Sequence, residues 1–135
     1  HVPRRTLAVW LADTHLLVWA AYGDPRLSPR AAKIIRSRDS KVYFSLASLW
    51  EVAIKASLKR PAFMVDASEL HASLLDEGFG ELAIAPKHIA RVAKLPWVHR
   101  DPFDRMLAAQ ALEEGLTLLT ADVALKAYGR FVRVV

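Results

Sequence analysis

Four acidic residues are spread along the chain with types suited to shared chemistry: Asp13, Glu51, Asp104 and Asp122. Several carboxylates in one cleft repel each other, and a divalent cation among them removes that repulsion. Because the chain has no cysteine and its histidines are scattered, an oxygen-rich site of this kind favours Mg²⁺ or Mn²⁺ over Zn²⁺. Such an ion activates water and polarises a bridging phosphodiester. These residues therefore predict metal-dependent phosphodiester hydrolysis, provided that the fold brings them together.

Each of these residues also has a purely structural explanation. Asp13, Asp104 and Asp122 stand at predicted helix starts, where a carboxylate caps free backbone N–H groups. Glu51 has the spacing of an exposed i,i+4 ion pair with Lys55. Neither role needs a cation, and both stay open for each residue taken singly. Caps of separate helices need not lie close together, so the topology of the fold determines whether the four acids share one site.

The elements that must position these residues alternate between strands and helices. Short apolar runs predict buried strands at 7–12, 41–45, 81–84, 116–120 and 131–134. Helical spacing with capping and stop signals predicts helices at 15–22, 30–37, 46–58, 66–77, 86–94, 102–114 and 122–128. The alternation predicts an α/β fold with a central, mainly parallel sheet of four to five strands and helices on both faces.

The predicted topology places the acids at one end of the sheet. Asp13 directly follows the first strand, and Asp122 lies two residues beyond Thr120, where another strand ends. The carboxyl ends of parallel strands share one edge, where ligands of such sheets bind. Asp104 begins the helix that leads into that second strand, and Glu51 lies off the apolar stripe of its own helix. We therefore expect the four acids to line one site.

Composition narrows the class of protein. With 135 residues and 53% hydrophobic content, we expect a single domain over residues 1–135. We assign no function to residues 1–6, which we expect to be either a remnant added for expression or disordered. The absence of cysteine suits a reducing cytoplasm, and the apolar run 7–12 is too short for a signal or membrane segment. A net charge of +5 is compatible with a polyanionic partner.

Four segments together resemble a known family: LADTHLLVW at 11–19, SLASLWEVAIK at 45–55, HRDPFDRMLAAQA at 99–111 and LLTAD at 118–122. They resemble the PIN-domain ribonucleases of bacterial toxin–antitoxin systems, of the VapC type. The resemblance implies a PIN-like three-layer α/β/α sandwich and a Mg²⁺- or Mn²⁺-dependent endoribonuclease that cuts RNA with a metal-activated water. It also implies the role of a toxin with a cognate antitoxin protein, and a homodimer.

Carried over by motif, the resemblance implies that Asp13, Glu51, Asp104 and Asp122 are the catalytic and metal-binding residues. The third motif contains two acids, and we choose Asp104 because the family's acid precedes the helical run 106–111. Asp101 is then expected to be the N-cap, with an outer-shell role left open. Many relatives carry Asn where this chain has His15.

Several further residues are candidates for supporting roles. Thr120 is a candidate to hydrogen-bond a metal-bound water, although hydroxyls at strand ends usually cap backbone groups instead. Arg105 or Arg100 is a candidate to hydrogen-bond Asp101. Lys55, Arg100 and Trp97 are candidates for RNA binding, the first two through phosphates and Trp97 by stacking on an unpaired base. Two residues are expected to have no such role: Trp50 is predicted to lie in the core, and His99 to be a solvated loop residue.

Two other classes of protein use similar sheets. A phosphatase of the haloacid dehalogenase type would use Asp13 as nucleophile, but that chemistry needs a second Asp two residues later, where this chain has His15. The other class is a non-enzymatic module, receiver-like or nucleic-acid-binding, that uses Mg²⁺ only for structure or signalling. Receivers need paired acids after the first strand and a phospho-acceptor after a middle strand. Neither pattern is evident in the sequence.

Overall fold

A five-stranded sheet forms the centre of the computed structural model, which describes residues 7–135. Its strands are β1 (Ala8–Ala12), β2 (Ser40–Ser45), β3 (Gly80–Leu82), β4 (Thr117–Thr120) and β5 (Val132–Val134). The strand order is β3-β2-β1-β4-β5, and every neighbouring pair is parallel. The predicted parallel sheet is therefore confirmed. The expectation for residues 1–6 lies outside the described residues.

Helices connect the strands, as the sequence predicts. They are α1 (Thr14–Tyr22), α2 (Pro29–Arg36), α3 (Leu46–Ser57), α4 (Ala67–Asp76), α5 (Pro86–Val92) and α6 (Pro102–Glu114). The segment predicted as a helix at 122–128 is instead a 3₁₀ helix, Val123–Tyr128. A second short 3₁₀ helix covers Pro61–Phe63. Within residues 7–135, no helix has both the length and the apolar character needed to cross a membrane.

The strands carry apolar side chains on both faces because helices cover both faces. Leu11 and Leu118 belong to a buried cluster that includes Leu107 of α6. Their neighbours Ala12 and Leu119 belong to a second cluster, which α1 and α4 also supply. Successive side chains of a strand point to opposite faces, so consecutive apolar residues need a packed layer on each side. This gives the predicted three-layer α/β/α arrangement.

The chain reverses its direction of travel across the sheet between β1 and β4. From β1 it adds β2 and β3 on one side, and it later returns to add β4 and β5 on the other. In open parallel sheets, the crevice at such a reversal lies beyond the carboxyl ends of the two central strands. The two ends are tied together here, because the Asp13 amide donates to the Leu119 carbonyl at 2.9 Å. The topology thus forms a crevice beside Asp13.

Candidate metal centre

A cleft of about 300 Å³ opens at this crevice. Asp13 lies between β1 and α1, Glu51 is on α3, Asp104 is in the first turn of α6 and Asp122 follows β4. All four line the cleft, together with Asp101. The structure therefore brings the predicted acids together from four separate parts of the chain.

Asp13 is buried, and its two oxygens have separate partners. Oδ1 accepts a hydrogen bond from the Leu16 amide at 3.0 Å, which makes Asp13 the N-cap of α1. Oδ2 accepts a hydrogen bond from the Thr120 hydroxyl, which in turn accepts from the Asp122 amide at 3.0 Å. Burial raises the pKa of the Asp13 carboxyl, and the Thr120 bond opposes that rise. Thr120 thus joins two of the acidic positions.

Glu51 is also buried, although a helix-surface pair was an open alternative for it. Its Oε1 lies 2.6 Å from the Thr14 hydroxyl, which is itself 2.9 Å from the Ser48 hydroxyl. Its Oε2 accepts from the Lys55 ammonium at 2.5 Å, and that ammonium lies 4.6 Å from the centre of the Phe63 ring. The i,i+4 pair therefore exists, but it is part of the cleft wall.

The surroundings of Asp104 disfavour the charged form of its carboxyl. Its amide and that of Phe103 both donate to Asp101 Oδ1, at 3.3 and 2.8 Å, so Asp101 is the N-cap of α6 as predicted. Burial, together with the nearby charges of Asp101, Glu51, Asp13 and Asp122, raises the pKa of the Asp104 carboxyl to about 7. A cation beside the Asp104 carboxyl would favour its charged form.

His99 lies against two of the acids, contrary to the expectation of a solvated loop residue. Its Nδ1 is 3.6 Å from Asp104 Oδ2, and its Nε2 is 3.7 Å from Asp122 Oδ2. Nδ1 also accepts a hydrogen bond from the Asp101 amide at 3.2 Å. Asp122 uses its other oxygen, Oδ1, to cap the 3₁₀ helix through the Ala124 amide at 2.9 Å. The sequence does contain a signal for His99, which lies two residues before Asp101, the N-cap of the helix that carries Asp104.

The donor set fits a hard divalent cation. Five carboxylates line the cleft, whereas Lys55 is its one lysine or arginine among the residues that the structure describes. Carboxylate oxygens are the ligands that Mg²⁺ and Mn²⁺ prefer, and an ion among them would offset the burial and the charge repulsion that together raise the pKa of Asp104.

Comparison with known proteins identifies the family. A family model described as the PIN domain matches residues 11–130. The chain belongs to the PIN-domain family. This PIN domain is therefore a member of a nuclease family whose enzymes hydrolyse nucleic acids and generally depend on divalent metal ions. Comparison with curated protein sequences gave no significant match.

Solved structures share the fold of this PIN domain at low sequence identity. VapBC2 from Rickettsia felis, bound to a DNA fragment from their promoter, superposes with a TM-score of 0.68 at 14% identity, covering 94% of this chain and 97% of that one. VapBC-1 from nontypeable Haemophilus influenzae gives 0.59 at 17% identity, with 89% and 91% covered. PAE2754 from Pyrobaculum aerophilum gives 0.54 at 20% identity, with 93% and 82% covered. These similarities establish the predicted fold class.

Arg105 requires a correction, because its guanidinium does not bond to Asp101 in the described structure. It donates to the carbonyls of Val92 at 2.9 Å and Pro96 at 3.0 Å, and it stacks 4.0 Å from the centre of the Trp97 ring. Arg105 is buried, and its guanidinium N–H groups bond to these carbonyls and not to Asp101 as predicted. It stabilises the loop before α6.

Trp50 and Trp97 are both exposed, so the prediction that Trp50 lies in the core was wrong. Trp50 is 59% exposed and packs edge-on against Phe103, while Trp97 is 80% exposed. Both rings line an apolar groove of about 350 Å³, and Arg100 lies beside them. Trp97 and Arg100 are thus placed together, in a groove that, like the acidic cleft, is lined by residues of α3 and α6.

Proposed function

We propose that this PIN domain is an endoribonuclease that hydrolyses RNA phosphodiester bonds with Mg²⁺ or Mn²⁺ and acts as the toxin of a toxin–antitoxin pair. The observation that carries the proposal is the convergence of Asp13, Glu51, Asp104 and Asp122 in one cleft at the carboxyl edge of the sheet. A site of this kind needs no protein nucleophile, because a divalent ion lowers the pKa of bound water and polarises phosphoryl oxygens.

We assign different roles to the residues of the cleft. Asp13, Asp104 and Asp122 are the proposed oxygen ligands, and each presents a carboxylate to the cleft. Glu51 completes the negative charge and, through its bonds, fixes the Thr14 and Lys55 side chains at the cleft wall. Thr120 fixes the direction of the Asp13 carboxylate, in the way that outer hydrogen bonds orient metal ligands.

Features around the cleft support RNA with unpaired bases as the substrate. Lys55 lies in the cleft and Arg100 in the adjoining groove, where each has the charge to contact phosphates. Trp97 is exposed, and the Arg105 guanidinium packs against its ring. The ring is therefore available for stacking with an unpaired base. The net charge of +5 favours a polyanion in general.

The proposed partners are a cognate antitoxin protein and a second copy of the chain. The folds most relevant to this proposal are those of VapBC2 and VapBC-1, with which the chain aligns over nearly its whole length. Trp50, Trp97 and Ile89 are exposed large apolar side chains, which are common in surfaces that bind other proteins. We propose a cytoplasmic location on the basis of the cysteine-free sequence.

The direct test is an internal-cleavage assay with purified protein. Single-stranded RNA labelled at its 5′ end should be cut into internal fragments with Mg²⁺ or Mn²⁺ and should remain intact in EDTA. Single-stranded DNA of the same sequence and p-nitrophenyl phosphate serve as parallel substrates. Equal RNA cleavage in EDTA would reject metal dependence, whereas cleavage of p-nitrophenyl phosphate alone would favour the phosphatase alternative.

A second experiment addresses the toxin role. Expression of the chain should arrest growth, and co-expression of the small protein encoded beside it should restore growth and co-purify with the chain. Growth arrest that the neighbouring protein does not relieve would remove support for the toxin–antitoxin pair while leaving the nuclease proposal in place.

A further inference from the structure

The His99 imidazole occupies a position between carboxylates from two different elements. Asp104 belongs to α6 and Asp122 follows β4, and each presents one oxygen to a different ring nitrogen of His99. One nitrogen of His99 and one oxygen of each aspartate all lie within 4.8 Å of one another. His99 therefore lies beside two of the cleft's aspartates, although no role at the site was predicted for it.

The distances around His99 suit ligands of one ion better than direct hydrogen bonds. The two N···O separations, 3.6 and 3.7 Å, exceed hydrogen-bonding range. Neighbouring and opposite ligands of an octahedral ion with bonds near 2.1 Å lie roughly 3.0 to 4.2 Å apart. These two separations involve different ring nitrogens, but one nitrogen and one oxygen of each aspartate all lie within 4.8 Å of one another, which leaves room for a divalent ion among them.

The tautomer of His99 is also suitable for coordination. Nδ1 accepts a hydrogen bond from the Asp101 amide, so in the neutral ring the proton lies on Nε2 and Nδ1 has a lone pair. Nδ1 is the nitrogen nearer Asp104, and Nε2 is the nitrogen nearer Asp122. Coordination at Nδ1 would replace only the long 3.2 Å bond from Asp101.

We propose that His99 supplies a nitrogen ligand to the cation held by Asp104 and Asp122, and that this ligand shifts the preference of the site from Mg²⁺ towards Mn²⁺. This inference rests on the proposed metal-dependent function and specifies its metal. Mg²⁺ prefers oxygen ligands, whereas transition ions bind imidazole well. Removal of the nitrogen should therefore weaken Mn²⁺ binding by about 10-fold and Mg²⁺ binding by only about 2-fold.

A second histidine in the same cleft provides a matched control. His15 lines the cleft, and its ring packs against Trp19 and Phe63, with centroid separations of 5.6 and 5.0 Å. Both histidines are thus close to the acids, and only His99 contacts Asp104 and Asp122 in the described structure. His99→Gln and His15→Gln make the same chemical change at two positions of one site.

The experiment is pulsed EPR of the full chain loaded with Mn²⁺ alone, which detects nitrogen bonded to the ion by its ¹⁴N modulation. We expect the modulation in the unmutated protein and in His15→Gln, and its loss in His99→Gln. Labelling the unmutated protein with ¹⁵N-histidine should replace the ¹⁴N signal without any mutation, which covers the case of a variant that folds poorly. Calorimetric titration of each variant with Mn²⁺ and Mg²⁺ measures the predicted change in preference.

The outcomes separate this inference from the proposed function. Mn²⁺ bound with no ¹⁴N modulation, or modulation that survives in His99→Gln, would overturn the role of His99 and leave metal dependence intact. Modulation lost only in His15→Gln would assign the nitrogen to His15 instead and would equally overturn it. Failure of the unmutated protein to bind Mn²⁺ or Mg²⁺ would overturn the proposed function, and the His99 ligand with it.

Discussion

The two sides of the cleft are built differently. On the strand side, Asp13 and Thr120 are buried at the ends of β1 and β4 and are joined by hydrogen bonds to each other and to the backbone. On the helix side, Asp104 and His99 are partly exposed and face each other at 3.6 Å. No hydrogen bond to the Asp104 carboxylate is found within residues 7–135. The Asp13 carboxylate on the strand side is therefore held by hydrogen bonds, whereas the Asp104 carboxylate on the helix side accepts none from the described residues.

This difference indicates which part of the site an ion would change most. An ion at the strand side would meet ligands that already have their orientation. At the helix side it would offset the burial, and the repulsion from Asp101 and Glu51, that together raise the pKa of Asp104. Substitutions on the strand side should therefore disturb ligands that the fold has already oriented, whereas removal of the Asp104 charge on the helix side should stabilise the metal-free protein.

The largest expected effect is that of Asp13→Asn, on the strand side. Asn keeps the oxygen that caps α1 through the Leu16 amide, but it removes the charge that would bind the ion. RNA cleavage should fall at least about 10³-fold, which is about 4 kcal/mol in the barrier. The rate of internal cleavage with saturating Mg²⁺ is the measurement.

Asp66→Asn is the matched control for that variant. Asp66 caps α4 in the same way, accepting from the Ser68 and Glu69 amides at 2.8 and 3.0 Å, and it does not line the cleft. Its cleavage rate should stay within about 2-fold of the unmutated protein. Comparable losses in both variants would show that Asp13 acts as a helix cap and no more.

Thr120→Val tests the bonding of the strand side with a smaller expected effect. It removes the hydroxyl that donates to Asp13 and accepts from the Asp122 amide, and it leaves both groups without that partner. We expect a loss of ~1–3 kcal/mol in the free energy of unfolding and a 10- to 100-fold loss in Mn²⁺ affinity. Chemical unfolding and calorimetric titration measure the two quantities. Thr120→Ser keeps the hydroxyl and should keep most of the affinity; equal losses in both variants would mean that the methyl group matters and the hydrogen bonds do not.

The strand side was predictable from the sequence because its position follows from strand order. The apolar runs before Asp13 and Asp122 identify buried parallel strands, and parallel strands share their carboxyl edge. Asp101 as N-cap and Asp104 in the first turn of α6 followed from the Asp-Pro start of that helix. These features depend on local pattern and topology alone.

The helix side was less predictable because it depends on where loops and side chains turn. His99 lies in the loop between α5 and α6, whose path is set by Arg105 bonding to carbonyls of the same loop. Neither periodicity nor capping signals specify such contacts. Trp50 was misplaced for a related reason: its helix carries apolar residues on more than one side, and spacing alone does not show which of them the sheet covers.

Asp104→Asn tests the unpartnered charge of the helix side and should stabilise the metal-free protein while it removes activity. Each pKa unit corresponds to about 1.4 kcal/mol, so the shift to about 7 sets an upper bound of about 4 kcal/mol. Because the side chain is 21% exposed, we expect a gain of ~1–3 kcal/mol. Urea unfolding in EDTA at pH 8 measures it.

The pH dependence of that gain identifies its cause. The folded-state pKa of Asp104 is raised above the unfolded value of 3.8, so between about pH 4 and 7 the folded protein binds more protons than the unfolded chain. Its stability therefore falls as the pH rises through this window, and the penalty is complete above pH 7. The advantage of Asp104→Asn should be largest at pH 8 and mostly lost at pH 4.5. Added Mg²⁺ should stabilise the unmutated protein more than the variant. An equal gain at both pH values would mean that the charge of Asp104 is already compensated, and that the two sides of the cleft do not differ as described.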